Sequence, residues 1–371
     1  MKQTFLFAGV FALCVASAQA QAQAQTPGGV TLYGLIDTGV EHVTNVAATG
    51  GGLTRMPSLT GSLPSRWGLR GTEDLGGGLR ATFVLESGFA PDTGASAQGG
   101  RLFGRQAFVG LSGAWGTVSL GRQYTMLFWS LLDSDVLVPN IYSVGSLDSY
   151  IANPRTDNAI AYRGTFNGLT VGATYSLGRD SVNAGPSPGG TNCAGENAAD
   201  TKACREWSML VKYDAASWGT ALAVDKIRGG AGAFAGLTSS ALSDTRVTLN
   251  GYAKVGATKI GGGLIRRDNE ASAATPKSDL WYIGVAHPLN AQLTIDAQLA
   301  RLSVKDSPNR ATLAAVRGTY SLSKRSAIYA TAGRIANDGT LALSVSSGAP
   351  GSNPASGRSQ SAVMVGIRHA F

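Results

Sequence analysis

The sequence contains few of the residues that enzymes and metal proteins use at their sites. Three histidines occur in 371 residues, and His42, His287 and His369 are far apart in the chain, with no evident acid and nucleophile beside them. Acid–base and nucleophilic catalysis need such groups within reach of one another. We therefore expect a protein that is not an enzyme and that binds no metal ion and no other cofactor.

Charged residues are also scarce, at 15% of the chain, and no basic cluster is present. Basic residues exceed acidic residues by eight, but they are spread singly along the sequence. A nucleic-acid-binding protein would concentrate them in a patch or stripe. We expect no nucleic acid partner, and the basic balance favours a cavity that attracts anions or a contact with anionic lipid.

Long apolar runs are missing after the N-terminal segment. No later stretch has 18 or more consecutive apolar residues, so no transmembrane helix is predicted, and a chain that spans a membrane without one must close as a β-barrel. The N-terminus carries Lys2, an apolar stretch over 5–16, and small residues at Ala18 and Ala20. These features predict a signal peptide over residues 1–20, removed after Ala20. Cys14 is not expected to carry a lipid, because Leu13 stands where a small residue would precede it.

Two cysteines remain beyond that segment, Cys193 and Cys204, separated by the polar run AGENAADTKA. In an oxidising compartment such a pair typically forms a disulfide that constrains a surface loop. Two reduced surface thiols are the alternative. No metal-ligating residues accompany the pair.

What the chain does have is glycine, 50 residues of it, and segments that alternate between apolar and polar residues. Alternation with a period of two indicates strands with two chemically different faces. The first segment has Val30, Leu32, Ile36 and Val40 on one face and Thr31, Asp37 and Glu41 on the other. About 16 segments are found, starting near residues 30, 64, 79, 103, 116, 158, 169, 205, 219, 245, 259, 279, 291, 310, 326 and 360.

The connections between these segments alternate between two lengths. Short ones lie at 73–78, 112–116, 167–168, 215–218, 255–258, 288–291 and 323–326. Long ones lie near 44–63, 126–154, 179–205, 229–244 and 336–358. Short turns at one end and long loops at the other are typical of outer-membrane barrels. A soluble β-sandwich or β-helix, the structural alternative, would not segregate its loops and would need a closed apolar core.

We therefore predict an all-β protein, a transmembrane antiparallel β-barrel of about 16 strands that forms a single domain over residues 21–371. A barrel of this size leaves an aqueous channel, with a polar inner face and an apolar outer face. An even strand number places both termini on the periplasmic side. Aromatic residues at segment ends fit membrane girdles: Tyr175, Trp207, Tyr213, Trp281, Tyr320 and Phe371.

Several motifs then resemble, in order, those of the β-proteobacterial general porins. They are 30–37 (VTLYGLID), 65–76 (SRWGLRGTEDLG), 108–113 (FVGLSG), 116–122 (GTVSLGR), 322–329 (LSKRSAIY) and 365–371 (VGIRHAF). The resemblance spans the mature chain. It implies a 16-stranded barrel assembled as a homotrimer, a third loop near 126–154 folded into the lumen, and a terminal Phe371 that the barrel-assembly machinery recognises.

The resemblance also implies a constriction in which arginines on the wall face a more acidic third loop. Matching by motif gives Arg66, Arg105 and Arg155, with Arg70, Arg80 and Arg122 as second choices and Asp133, Asp135 and Asp148 as the loop acids. Arginine stays charged and offers a planar fork to carboxylates and phosphates. Arg66, Arg70 and Arg80 have the inward phase of their strands, whereas Arg105 and Arg122 have the phase of apolar neighbours, which a β-bulge or a position beyond the lipid zone would explain.

The function predicted is passive diffusion of small hydrophilic solutes and ions through the outer membrane, with a mild preference for anions. A porin selective for one small anion is the nearest alternative, since an arginine-lined path would suit an internal binding site. A surface adhesin or receptor is another, because long loops can bind a partner. Outer-membrane lipid would surround the barrel in each case.

Overall fold

The structure, a computed structural model, describes residues 29–180, 192–233, 236–273, 275–347, 349 and 351–371. The signal peptide expected over residues 1–20 lies outside these residues. None of the described helices is long and apolar enough to cross a membrane.

β-strands make up more than half of the described chain and nearly all of its regular secondary structure. In order the strands are β1 (Val30–Val46), β2 (Gly51–Arg55), β3 (Arg66–Gly76), β4 (Leu79–Gly88), β5 (Gln106–Gly113), β6 (Gly116–Tyr124), β7 (Arg155–Phe166), β8 (Leu169–Ser176), β9 (Glu206–Asp214), β10 (Trp218–Arg228), β11 (Ser243–Val255), β12 (Thr258–Asn269), β13 (Lys277–Pro288), β14 (Leu293–Val304), β15 (Arg310–Ser321), β16 (Ser326–Asp338) and β17 (Gln360–Ala370). The helical elements are α1 (Ala97–Gly100), α2 (Met126–Leu131) and a 3-10 turn (Val144–Ser146).

The strands form a closed antiparallel barrel of sixteen strands. Each strand from β3 onward pairs with the next, and β17 returns to pair with β1 over Leu35–Val43, while β1 pairs with β3 over Val30–Leu35. The short β2 pairs with the outer end of β1 only and is an addition within the first long loop. The prediction of about 16 strands is confirmed, and every expected start lies within three residues of an observed one.

The short connections are tight because their sequences tolerate left-handed backbone. Asn167 and Gly168, between β7 and β8, have φ of 49° and 85°, and Gly77 and Gly78, between β3 and β4, have φ of 61° and 80°. Two successive residues with positive φ make the turn whose twist matches that of paired strands. These turns fix the register of the strands that they join.

The alternating pattern separates an outer apolar face from an inner face. Val40, Leu249 and Val365 are 51%, 61% and 64% exposed, whereas Asp37 and Glu41 are buried inside the barrel. The expected girdle residues lie in two rows on the outer face. Tyr213, Tyr320 and Phe371 lie near the short-turn end, and Tyr175, Trp207 and Trp281 near the long-loop end.

The inner face is not polar throughout, which corrects the expectation from sequence. Leu210, Ile265, Leu280, Leu313 and Ile335 point inward from β9, β12, β13, β15 and β16 and are buried. The last four belong to one hydrophobic cluster with side chains of the long segment between β6 and β7, namely Leu127, Leu131, Leu137, Ile141 and Ile151. This part of the wall is apolar because it packs against that segment.

Candidate pore constriction

The segment between β6 and β7, here called the third loop (125–154), is tied to the inner wall by hydrogen bonds. The Tyr142 hydroxyl donates to Glu41 Oε1 at 2.7 Å, and Gln298 Nε2 donates to Ser143 Oγ at 2.7 Å. Its first part, α2, lies against β8 at Gly172, where an added Cβ would overlap the Met126 sulfur. The loop is therefore held within the barrel from both sides.

Three arginines meet on the wall formed by β3 to β7. Arg105 Nε donates to Glu86 Oε1 at 2.7 Å, and Arg66 Nε lies 3.7 Å from Glu86 Oε2. Arg105 and Arg155 both donate to the Tyr124 hydroxyl, at 2.6 and 2.7 Å. We call Arg66, Arg105 and Arg155, with Glu86 and Tyr124, the arginine cluster. It unites the three first-choice arginines.

Local backbone irregularity turns two arginines inward against the phase of their neighbours. The register of β6 against β7 shifts between Gly121 and Gln123, and Gly121 has φ of 129°. This bulge lets Arg122 bury itself inside the barrel. Arg105 lies one residue before β5 begins, where its amide donates to the Glu86 carbonyl at 3.1 Å.

The second-choice arginines have three different surroundings. Arg122 Nη1 pairs with Asp157 Oδ1 at 2.5 Å, in a network that also contains Arg101 and Asp180 and that has as many acids as arginines. Arg70 lies over the Tyr33 ring at 5.0 Å, beside the cluster.

Arg80 is the exception, because the structure does not bring it to the constriction. It points inward opposite Asp74, one residue after the start of β4 at the short-turn end. Glu86 lies six residues farther along that strand, roughly 20 Å at ~3.3 Å per residue. The direction of β4 therefore places Arg80 far from the arginine cluster.

The third-loop acids do not face the arginine cluster. Lys212 Nζ donates to Asp133 Oδ2 at 2.6 Å, and Arg246 Nε donates to Asp148 Oδ2 at 2.7 Å. Lys212 lies on β9 and Arg246 on β11, away from the cluster wall. Asp133 and Asp148 fasten the loop to the far wall because opposite charges lie there within reach.

The pKa values of two loop acids reflect these positions. Burial would raise the pKa of Asp148, but Arg246 and Arg267 outweigh it and lower the pKa to about 2. Burial raises the pKa of Asp135 to about 6, although Ser143 Oγ and the Leu137 amide donate to its carboxylate at 2.6 and 3.1 Å. Asp135 is thus a loop acid in contact with its own loop.

Glu86, the acid that does lie among the arginines, was missed from sequence. Its signal was weak but present: it is an isolated acid on β4 in the same phase as Arg80, Thr82 and Val84. No sequence feature pointed to Tyr124 as a member of the site, because only the fold shows that two arginines donate to its hydroxyl. The cluster therefore holds three guanidinium groups and one carboxylate.

Cys193 and Cys204 are joined by a disulfide. Cys193 also forms a β-bridge with Asp180, and Cys204 packs with Ala203, Ala233 and Leu237 in a small apolar cluster. The bond constrains the described part of the loop between β8 and β9, outside the arginine cluster.

Metal-ligating and nucleophilic motifs are other kinds of candidate site. Among the residues that the structure describes, no group of three His, Cys, Asp or Glu side chains is placed to hold a metal ion. The run at 185–189, GPSPG, fits the Gly-x-Ser-x-Gly pattern of hydrolases. It lies outside the described residues.

Comparison with known proteins agrees with this architecture. A family model described as Gram-negative porin matches residues 9–340. Outer membrane porin protein 32 of Delftia acidovorans is 29% identical over 374 residues, which cover 98% of this chain and 99% of that protein. An outer membrane porin protein of Bordetella pertussis is 38% identical over 192 residues, so this chain spans about half of that relative's length.

Solved structures share the fold. The anion-selective porin from Comamonas acidovorans has a TM-score of 0.74 at 27% identity, covering 93% of this chain and 100% of that chain. The trimer form of in-vitro folded OmpT, an outer membrane protein of Vibrio cholerae, has a TM-score of 0.67 at 14% identity over 93% of this chain and 100% of that one, which shows the fold alone. With a family match over nearly all of its length, this chain belongs to the Gram-negative porins.

Proposed function

We propose that this outer-membrane porin prefers anions, mildly, and that the arginine cluster sets the preference. The observation that carries the proposal is the ratio of charges: Arg66, Arg105 and Arg155 surround a single carboxylate, Glu86. Two of the three third-loop acids that would offset the arginines, Asp133 and Asp148, pair with Lys212 and Arg246 instead. The Comamonas structure, which is 27% identical and is named an anion-selective porin, supports the proposed anion preference.

The preference is graded because the lumen contains water. A ring of charge at the narrowest section shifts ion ratios without excluding the opposite ion, since salt screens charge over ~10 Å at 0.1 M. Small hydrophilic solutes of either sign pass, and anions pass more readily. Passage through the cluster needs no catalytic group.

The test is the reversal potential of purified protein in a planar bilayer under a KCl gradient. We expect a potential signed for chloride, reduced in Arg66→Ala and in Arg155→Ala because each removes one positive charge from the cluster. Arg80→Ala is the matched control, an inward arginine at the short-turn end, and should leave the potential within error. A potential signed for potassium in the wild type contradicts the proposal.

We further propose that the chain assembles as a homotrimer and that Phe371 assists its assembly, as the resemblance to β-proteobacterial porins implies. The position of the terminal residue supports the second part of the proposal: its amide donates to the Gly34 carbonyl at 3.1 Å, across the seam between β17 and β1. Light scattering of the detergent-solubilised protein should give three chains per particle. A monomeric mass under conditions that preserve the channel contradicts the trimer.

A further inference from the structure

The face of α2 that points away from the wall carries two aromatic side chains. Met126, Leu127, Ser130 and Leu131 are buried, as the side of a short helix that packs on the barrel should be. Phe128 and Trp129 are only half-buried. Because α2 lies inside the barrel, the exposed parts of these two rings face the water of the lumen.

These rings continue a line of stacked groups that begins at the arginine cluster. Arg155 lies over the Tyr124 ring at 4.4 Å, and Tyr124 stacks on Phe128 at 3.8 Å with 10° between the planes. Phe128 meets Trp129 edge-on, at 5.7 Å and 76°, and Arg163 lies over Trp129 at 3.8 Å. We call Arg155, Tyr124, Phe128, Trp129 and Arg163 the arginine–aromatic strip.

The two ends of the strip differ in exposure: Arg155 is buried in the wall at 3% exposure, whereas Arg163 is exposed to the lumen. Arg155 donates to the Tyr124 hydroxyl and to the Asn153 side chain, which are neutral groups. Arg163 is exposed on the inward phase of β7, opposite Thr117, and among residues 29–180 and the other described ranges no acid pairs with it. A guanidinium in this state can bind a carboxylate through its planar fork.

The two rings between these charges form a corner. Phe128 and Trp129 are nearly perpendicular, so a planar ring that lies flat on one of them meets the edge of the other. Offset and edge-to-face contacts are the arrangements that aromatic pairs prefer. A saturated ring of the same size would find apolar contact there but neither of these geometries.

We propose that the strip favours aromatic carboxylates over saturated carboxylates of equal size and charge. The carboxylate binds Arg163 while the ring stacks in the corner of Phe128 and Trp129, which makes these two residues determinants of specificity. The inference rests on the proposed anion preference, because an aromatic acid must first be admitted as an anion.

The experiment compares benzoate with cyclohexanecarboxylate, which have the same charge and nearly the same size. Zero-current potentials with the sodium salt of each acid on one side and sodium chloride on the other give the permeability of each acid relative to chloride. We expect benzoate to be about threefold more permeable than cyclohexanecarboxylate in the wild type, as a single aromatic contact allows. The ratio should fall to about one in Phe128→Leu/Trp129→Leu, while the reversal potential in KCl keeps its sign.

Trp218→Leu is the matched control, since Trp218 lies on the outer face near the short turns. Its ratio should equal that of the wild type. Arg163→Gln keeps every side chain of α2 and provides a second test if the double variant yields no channel. Its ratio should also fall towards one, because the carboxylate loses its positive partner.

The outcomes separate this inference from the function on which it rests. A wild-type ratio near one, with a potential signed for chloride in KCl, overturns the aromatic specificity and leaves the anion preference standing. An unchanged ratio in both Phe128→Leu/Trp129→Leu and Arg163→Gln overturns the role of the strip. A potential signed for potassium in KCl overturns the anion preference itself.

Discussion

At the scale of single residues, the pore depends on a few contacts that join distant parts of the chain. Glu86 is the clearest example: it accepts hydrogen bonds from Tyr33 and Arg105 and lies 3.7 Å from Arg66. It holds the arginines in place and also cancels part of their charge. These two roles can be separated by a substitution that keeps the shape and removes the charge.

Glu86→Gln should therefore strengthen the anion preference. The amide retains most of the volume and can still accept from Arg105, but the cluster loses its one negative charge. We expect the reversal potential in a KCl gradient to move towards the chloride limit. Glu73→Gln, an exposed acid near the short turn of β3, is the control and should change nothing. A shift towards potassium would show that Glu86 matters by positioning the arginines and not by its charge.

A second residue-scale prediction concerns the seam where the barrel closes. The Phe371 ring covers Gly34, and an added Cβ there would overlap the ring. Gly34→Val should displace Phe371 and destabilise the barrel by about 1–3 kcal/mol, the usual cost of overpacking. The midpoint of thermal unfolding in detergent measures the effect. Val30→Leu, on the open outer face of the same strand, should leave the midpoint unchanged.

At the scale of elements, the third loop behaves as a separate piece docked on the inner wall. Its apolar side chains pack on the inward leucines and isoleucines of β12 to β16, and its acids bind Lys212 and Arg246. A docked piece can loosen without unfolding the barrel, because stability varies across a structure. Its buried acids make the docking sensitive to pH.

The raised pKa of Asp135 predicts that the third loop docks less tightly on the inner wall at neutral pH than at pH 4. Its pKa is about 6 in the docked loop, where burial disfavours the charge, against about 3.9 in water. Protonation therefore favours docking, fully below about pH 4, and this contribution is lost as the pH rises through 6. Asp148, with a pKa lowered to about 2, acts in the opposite direction and only below about pH 4.

Open-channel current noise, which reports loop motion, should therefore increase between pH 4 and pH 7 in the wild type. Asp135→Asn should remove most of that increase, because the amide is neutral throughout. Asp306→Asn, at an exposed turn, serves as the control. Noise that is independent of pH in the wild type would show that Asp135 does not limit the docking.

At the scale of the whole molecule, the barrel sets a long-range field along its lumen. The chain carries 31 basic and 23 acidic residues, and the arginine cluster concentrates part of the excess at one level. Screening acts over about 10 Å at 0.1 M salt and about 3 Å at 1 M. The chloride-to-potassium permeability ratio should therefore fall towards its value in bulk water as the mean KCl concentration rises from 0.1 to 1 M. A ratio that stays constant would indicate a specific anion site in place of a field.

The architecture could be predicted from the sequence because its signals are local. A period of two is visible within ten residues, and turn residues such as Asn167 and Gly168 stand next to each other. Such local patterns predict the strand starts and the separation of short turns from long loops. They also predict the inner face on which Asp37 and Glu41 lie. Arg66 could be placed for the same reason, since Trp67 and Leu69 show the phase of β3.

The pairing of charges at the constriction was decided only by the tertiary structure, because it depends on contacts between residues far apart in the chain. A bulge at Gly121 turns Arg122 inward. Arg246 donates to Asp148, which lies 98 positions away in the chain, so this loop acid does not face the arginines. The apolar inner wall likewise follows from the loop that packs on it. The sequence determined a barrel with an inside and an outside, whereas long-range pairing of charges determined which side of the lumen is positive.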